Sequence, residues 1–160
     1  MPIDLSHPYR IRTATSQDAA QIALHRAMMF RDMGLLSEAE TSPLRDAAED
    51  WFARILADGS YIGWMVHDGD DVVGGGGMHL RTHGPVPGCF EAGLAGHVAN
   101  VYIEPPHRRR GLAEALMTNM LEWARSHSVK ELTLTASEEG KSLYRRLGFL
   151  PSPEFHTMKI

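Results

Sequence analysis

A chain of 160 residues with 43% hydrophobic and 22% charged residues has the length and balance of one globular domain, which excludes disordered and collagen-like classes. Its single cysteine, Cys89, excludes an intramolecular disulfide and a cysteine-pair zinc site and points to a reducing, cytoplasmic setting. Sixteen Lys and Arg against twenty Asp and Glu leave a net charge of −4, so general attraction to nucleic acid is not expected and any anion site must be local.

Asp4, His7 and Pro8 interrupt the apolar stretch that a secretory signal needs, so no export signal is expected. No run of about 18 apolar residues offers a membrane span. Tyr9 to Thr13 alternates as a short strand, after which Thr15 and Asp18 have the spacing of a capping box. The helix they open places Ala20, Ala23, Leu24, Ala27 and Met28 on one buried face and stops at Gly34. Pro43 reads as the start of a second helix with Leu44, Ala47, Ala48, Trp51 and Phe52 on its apolar side up to Gly59.

Tyr61 to His67 and Val72 to Leu80 read as antiparallel strands joined by Asp68-Gly69-Asp70-Asp71. The run Gly74 to Gly77 lies inside an apolar segment, which favours a bulge or a close backbone approach over a phosphate loop. The Gly and Pro content of Arg81 to Gly96 predicts a long surface loop bordering a ligand site. His97 to Ile103 reads as a strand that Pro105-Pro106 ends, and Leu112, Leu116, Met120 and Trp123 mark an amphipathic helix. Leu132, Leu134 and Ala136 alternate along a further strand, Leu143 and Leu147 lie on a short helix closed by Gly148, and a last strand is expected from Phe149.

The resulting order is βααββ, βαβα and β. Two strands flanking a helix between 97 and 136 imply a parallel crossover, and the fold class is α/β with a mixed sheet. One domain spans residues 1–160.

Arg108-Arg109-Arg110-Gly111-Leu112-Ala113 sets three cations and a glycine between a strand's end and a helix's first turn. The first N–H groups of a helix lack intrahelical partners and carry the positive end of the macrodipole, worth about 0.3–2 kcal/mol to a bound anion such as a diphosphate. Gly111 opens the backbone to phosphate oxygens and the small Ala113 keeps the helix close. A basic, solvated helix start is the alternative for the hexapeptide by itself.

These residues resemble the signature of the GNAT-type N-acetyltransferases: Arg or Gln, two residues, Gly, one residue, then Gly or Ala, met by Arg108, Gly111 and Ala113. Asn100 to Pro105 before the turn and Leu143 to Phe149 after it extend the resemblance over the last 65 residues. The resemblance implies a GNAT-like, mostly antiparallel sheet with a central parallel βαβ crossover and flanking helices. It also implies an acceptor-side half at 1–96, an acetyl-CoA-binding half at 97–160, and transfer of an acetyl group to a primary amine of a small molecule or peptide, with acetyl-CoA as cosubstrate and no metal. Val101 and Ile103 would then offer main-chain groups to the pantetheine arm, which lies like an added strand where two sheet strands splay. Ser137 stands where many relatives have an Asn that contacts the cosubstrate; helix capping is its other reading.

An alkyl ammonium is neutral in only about one molecule in a few thousand at pH 7, so the attack needs a base. In several relatives a carboxylate eleven positions before Arg108 fills this role; here that position is His97, whose imidazole can accept a proton or is simply a strand-end histidine bonded to its neighbours. Glu104 and Tyr102 are the other candidates. Tyr144 matches the family's general acid for the leaving thiolate, or else packs with Leu143 and Leu147 as core.

Cys89 lacks a cationic helix start or an evident partner and is read as incidental. His79 and His83 have a helical ligand spacing on what reads as strand, so no metal is predicted. Glu38, Glu40, Asp46, Glu49 and Asp50 would favour a cationic acceptor or form a solvated acidic face. Met28, Met29, Phe30 and Met33 read as an adaptable wall or plain core. A non-catalytic acyl-CoA sensor is the alternative function. Exposed sheet edges are compatible with a homodimer, which is frequent in the family.

Overall fold

The computed structural model describes residues 8–152 and 157–160. The chain runs β1 (Tyr9–Thr13), α1 (Ala19–Asp32), α2 (Glu38–Asp58), β2 (Tyr61–Asp68), β3 (Asp71–His83), β4 (Gly93–Ile103), α3 (Leu112–Ser126), β5 (Val129–Leu134) and α4 (Lys141–Arg146). The strands form one sheet in the order β1-β2-β3-β4-β5. All neighbours are antiparallel except β4 and β5, whose parallel pairing is the crossover expected around α3.

Local chemistry sets the helix ends. The Thr15/Asp18 capping box forms, on a short 3-10 turn that leads into α1. The end of α1 is closed by Gly34 in the left-handed region, with the Leu35 N–H donating to Phe30 and the Gly34 N–H to Arg31, a Schellman arrangement. The start of α2 differs from the expectation at Pro43. Ser37 and Glu40 make a second capping box, so the helix opens at Glu38 and Pro43 lies inside it. The reciprocal cap outweighs the one backbone hydrogen bond that proline omits.

The face of α1 is also turned from its expected setting. Ala19, Ile22, Ala23, His25 and Ala27 are buried and Ala20 is exposed, because α1 packs on α2 as well as on the sheet. Phe52 and Ala48 of α2 join Ile22, Ala23, Tyr61 and Met65 in one core layer. On the other side of the sheet Leu112, Leu116, Met117 and Met120 of α3 pack against Trp64, Val66, Met78, Val98 and Ile103.

The glycine run sits at the centre of the sheet. A Cβ at Gly75 would lie 2.6 Å from the Trp64 carbonyl, and one at Gly76 would lie 2.9 Å from Met120 Cε. A Cβ at Gly77 would collide with the Ile62 carbonyl and the Tyr61 ring. Close approach is therefore the reason for the run, and a bulge accompanies it: Gly75 pairs with Tyr102 and Gly77 with Ala99, so Asn100 and Val101 together oppose Gly76.

Two expectations shift. The loop expected over 81–96 is shorter than that, since β3 runs to His83 and β4 begins at Gly93, leaving a connection of 84–92 pinned by a Val86–Cys89 bridge. The ladder between β3 and β4 outweighs the local turn preference of its glycines. The strand expected from Phe149 is absent among the described residues: 149–152 and 157–160 are irregular, and 153–156 lie outside them.

Candidate active site

The opening of the site is a consequence of register. β4 and β5 pair only from Leu94↔Val129 to Val98↔Leu134, after which β4 continues to Ile103 without β5 beside it. The Glu104 N–H donates to Val73 on the β3 side, so by alternation the N–H of Ile103 turns toward the gap, while its carbonyl accepts from Arg108. The Ile103 and Val101 side chains belong to the α3-facing core, as expected of ordinary core residues.

Beside that gap the chain enters α3 through a turn with two left-handed residues, Arg109 at φ 63° and Gly111 at φ 78°. Gly111 is the N-cap and supplies no side-chain acceptor, so the N–H groups of Leu112 and Ala113 have no cap from it. Such turns let successive N–H groups converge on an anion. Arg109 and Arg110 are exposed at its rim, and Arg146 of α4 reaches Glu114 in the first turn of α3 at 3.4 Å.

Arg108 is employed differently from its neighbours. Its Nε donates to the Ile103 carbonyl at 2.7 Å, its Nη2 pairs with Asp32 at 2.7 Å, and the guanidinium lies 5.3 Å from the Tyr102 ring centroid. The side chain thus ties the end of β4 to the end of α1 and positions the turn, while Arg109 and Arg110 face solvent.

Tyr144 sits on α4, packed against the α3-side core and edge-on to Phe149 at 6.0 Å. Burial raises its pKa, which keeps the phenol protonated and able to donate. Ser137 is exposed and accepts the Gly140 N–H at 3.2 Å, closing the turn before α4. His97 is exposed on β4, its Nδ1 bonded to Thr133 Oγ1 of β5 at 2.8 Å, and it lies directly across from His79 of β3.

Glu104 and Tyr102 are placed less well for base chemistry. Glu104 is held by His25 at 3.2 Å. The Tyr102 hydroxyl is buried beside the Arg108 guanidinium, and burial, then Asp32, push its pKa up. Cys89 makes only a weak contact to the Glu91 carbonyl. No group of three or more metal-ligating side chains occurs among the described residues.

Two residues of the acceptor side take a role that the sequence reading did not give them. Asn100, at φ 61° and buried, accepts from Arg26 at 2.6 Å through Oδ1 and donates through Nδ2 to the Tyr61 hydroxyl at 3.1 Å. Arg26 gave one visible signal, a cation midway between Ile22 and Phe30 at helical spacing. The left-handed bulge that brings Asn100 to it has no signature in composition or periodicity.

A mostly antiparallel sheet with one parallel pair that parts after Val98↔Leu134, and a glycine-capped helix start beside it, is the architecture of the N-acetyltransferase fold. Residues 20–149 match the Acetyltransferase (GNAT) family, and the chain belongs to that family. It is similar to a GCN5-related N-acetyltransferase from Ralstonia eutropha JMP134, 30% identical, with 94% of this chain and 98% of that one covered and a TM-score of 0.84. A predicted acetyltransferase from Clostridium acetobutylicum, solved with acetyl-CoA, shares the fold at 19% identity and a TM-score of 0.84, over 94% and 96% of the two chains. A glucosamine 6-phosphate N-acetyltransferase from Trypanosoma brucei brucei is 35% identical over 54 residues, 34% of this chain and 37% of that enzyme. Only about a third of that curated relative is therefore spanned.

Proposed function

We propose that this protein transfers the acetyl group of acetyl-CoA to a primary amine of a small molecule or peptide, by direct attack within a ternary complex. The observation that carries the reading is the unpaired edge of β4 at 99–103 lying next to the glycine-capped start of α3. An extended amide-bearing arm fits the first, and a diphosphate fits the second.

In this reading Val101 and Ile103 hydrogen-bond the arm through their backbones, and the N–H groups of Gly111, Leu112 and Ala113 hold the diphosphate. Arg109 and Arg110 add charge at the rim, Arg108 positions the turn, and Ser137 borders the arm. His97 accepts the amine proton, directly or through water, as the nitrogen lone pair forms the new C–N bond. The C–S bond breaks, and Tyr144 donates its proton to the departing sulfur.

The two halves keep separate tasks, with 1–96 contributing the acceptor wall and 97–160 the cosubstrate site within one domain. No helix among the described residues is long and apolar enough to cross a membrane. A cytoplasmic location and a homodimer are part of the same proposal.

Thermal unfolding with and without acetyl-CoA tests the site. A ligand at about 100 times its Kd adds roughly 2.7 kcal/mol, a shift of several degrees for a chain of this size. Thiol release across a panel of amines, glucosamine 6-phosphate among them, then separates an enzyme from a sensor. An unchanged Tm at millimolar acetyl-CoA overturns the proposal; a shift without thiol release from any amine leaves the sensor.

A further inference from the structure

We infer that the acceptor carries an anionic oxyacid group, a carboxylate or a phosphate, held by the Arg26 guanidinium with His79 beside it. The inference rests on the acyltransfer reading and deepens it by naming the substrate class.

A guanidinium has five N–H donors. In Arg26 one of them, on Nη1, is given to Asn100 Oδ1 at 2.6 Å, and no other hydrogen-bond acceptor is found for this side chain among the described residues. The cation is half-buried, 4.8 Å from the Phe30 ring centroid and 6.0 Å from those of Trp51 and Phe52. It forms no ion pair with any described carboxylate. Taking a cation out of water without a counter-anion is unfavourable unless a partner arrives, and burial accordingly lowers its pKa.

The surroundings carry the same sign. The His79 ring stacks on Trp51 at 5.3 Å and meets Tyr61 at 4.9 Å. Its pKa is lowered by burial, then by Arg26 and then by His97, and no carboxylate offsets them. The acidic residues that would have attracted a cationic acceptor, Glu38, Glu40, Asp46, Glu49 and Asp50, are all exposed, and Glu40 is committed to the Ser37 cap. They form a solvated face of α2.

Position links the cluster to the chemistry. Asn100, which anchors Arg26, is one half of the β4 bulge at the edge of the open gap, and its amide is oriented by its second bond to Tyr61. An oxyanion paired with Arg26 therefore lies a few residues along β4 from His97, within the span of a small amine. Planar, bidentate recognition of carboxylate or phosphate is what a fixed guanidinium does best.

The experiment compares matched amines by thiol release: amino acids with their carboxamides, and glucosamine with glucosamine 6-phosphate. The expected result is a kcat/KM about tenfold or more higher for the anionic member in at least one series, which also tells carboxylate from phosphate. Arg26→Gln should collapse that ratio toward unity mainly through KM, and Arg26→Lys should restore part of it. Neutral or cationic amines preferred throughout, or a ratio unchanged in Arg26→Gln, would overturn the inference while leaving acyltransfer intact. A Tm shift with acetyl-CoA, measured on both variants, shows that they are folded. In a parallel arm with CoA present, inorganic phosphate or acetate at fixed ionic strength should raise the wild-type Tm but not that of Arg26→Gln. Equal shifts in both, or none in either, count against Arg26 as the anion site even if no amine is turned over.

Discussion

Arg108 donates from Nε to the carbonyl of Ile103 at 2.7 Å, so the first residue of the Arg108–Ala113 turn is fastened to the last residue of the strand before it. The same guanidinium reaches Asp32 on α1, closing a brace between both halves of the chain. Its contribution is structural first and electrostatic second.

Arg108→Ala is therefore expected to lower the Tm of the free protein by about 2–4 °C, a loss near 1 kcal/mol because the pair is partly screened. Arg110→Ala should leave that Tm nearly unchanged and weaken CoA about threefold. Melting curves of both variants with and without CoA make the comparison; equal Tm losses would contradict the division of labour.

Tyr144→Phe removes only the phenolic hydroxyl from a packed ring. Turnover should fall by about 10²-fold or more while the acetyl-CoA-induced Tm shift is kept. Stopped-flow or steady-state thiol release measures the first and calorimetric melting the second. If turnover is kept and stability lost, Tyr144 is core and the thiolate finds its proton elsewhere.

For His97→Ala the diagnostic is how the deficit varies with pH. A missing base matters most when the acceptor is an ammonium ion, so the loss in kcat/KM should shrink as pH rises toward about 10, where free amine accumulates. A loss that is constant with pH would indicate that His97 serves by packing with Thr133.

Acid should destabilise the fold in two stages. His25, His67 and His79 all have pKa values lowered chiefly by burial. The unfolded chain therefore binds more protons than the folded one below about pH 6.5, and stability is present above that pH and lost as pH falls. Asp18, lowered by its bond to Arg12, adds a second loss below about pH 4. Tm recorded from pH 8 to pH 3 should decline through both windows, and His25→Gln should flatten the upper one.

Gly77→Ala should destabilise by about 2–4 kcal/mol, since its Cβ meets the Ile62 carbonyl and the Tyr61 ring and neither can retreat. Gly84→Ala, with open space around it, should stay within about 0.5 kcal/mol. Urea denaturation of the two variants distinguishes close packing from turn conformation as the reason for these glycines.

Which features could be read in advance follows from their range along the chain. The Thr15/Asp18 cap, the 69–70 hairpin turn, the glycine approach and the Arg108–Ala113 turn are local, and residue chemistry names them. Pro43 points to the wrong start because a proline can open a helix, whereas the reciprocal Ser37/Glu40 pair is what opens this one. The far end of β3 looks like loop in sequence because its pairing with β4 is a long-range contact. Arg26, Asn100, Tyr61 and His79 come from four elements, and only the folded sheet brings them together.

At Gly75 to Gly77 the sheet carries no side chains of its own. Met120 and Leu116 press on one surface at Gly76, and Tyr61 presses on the other at Gly77, so at this spot the wall between the α3 side and the α1/α2 side is a single peptide thick. Close-packed interiors transmit small displacements instead of absorbing them. A shift of α3 has only backbone to cross before it reaches Tyr61, Asn100 and the Arg26 guanidinium that Asn100 holds. A displacement on one side of the sheet is thus passed to the other without any hinge.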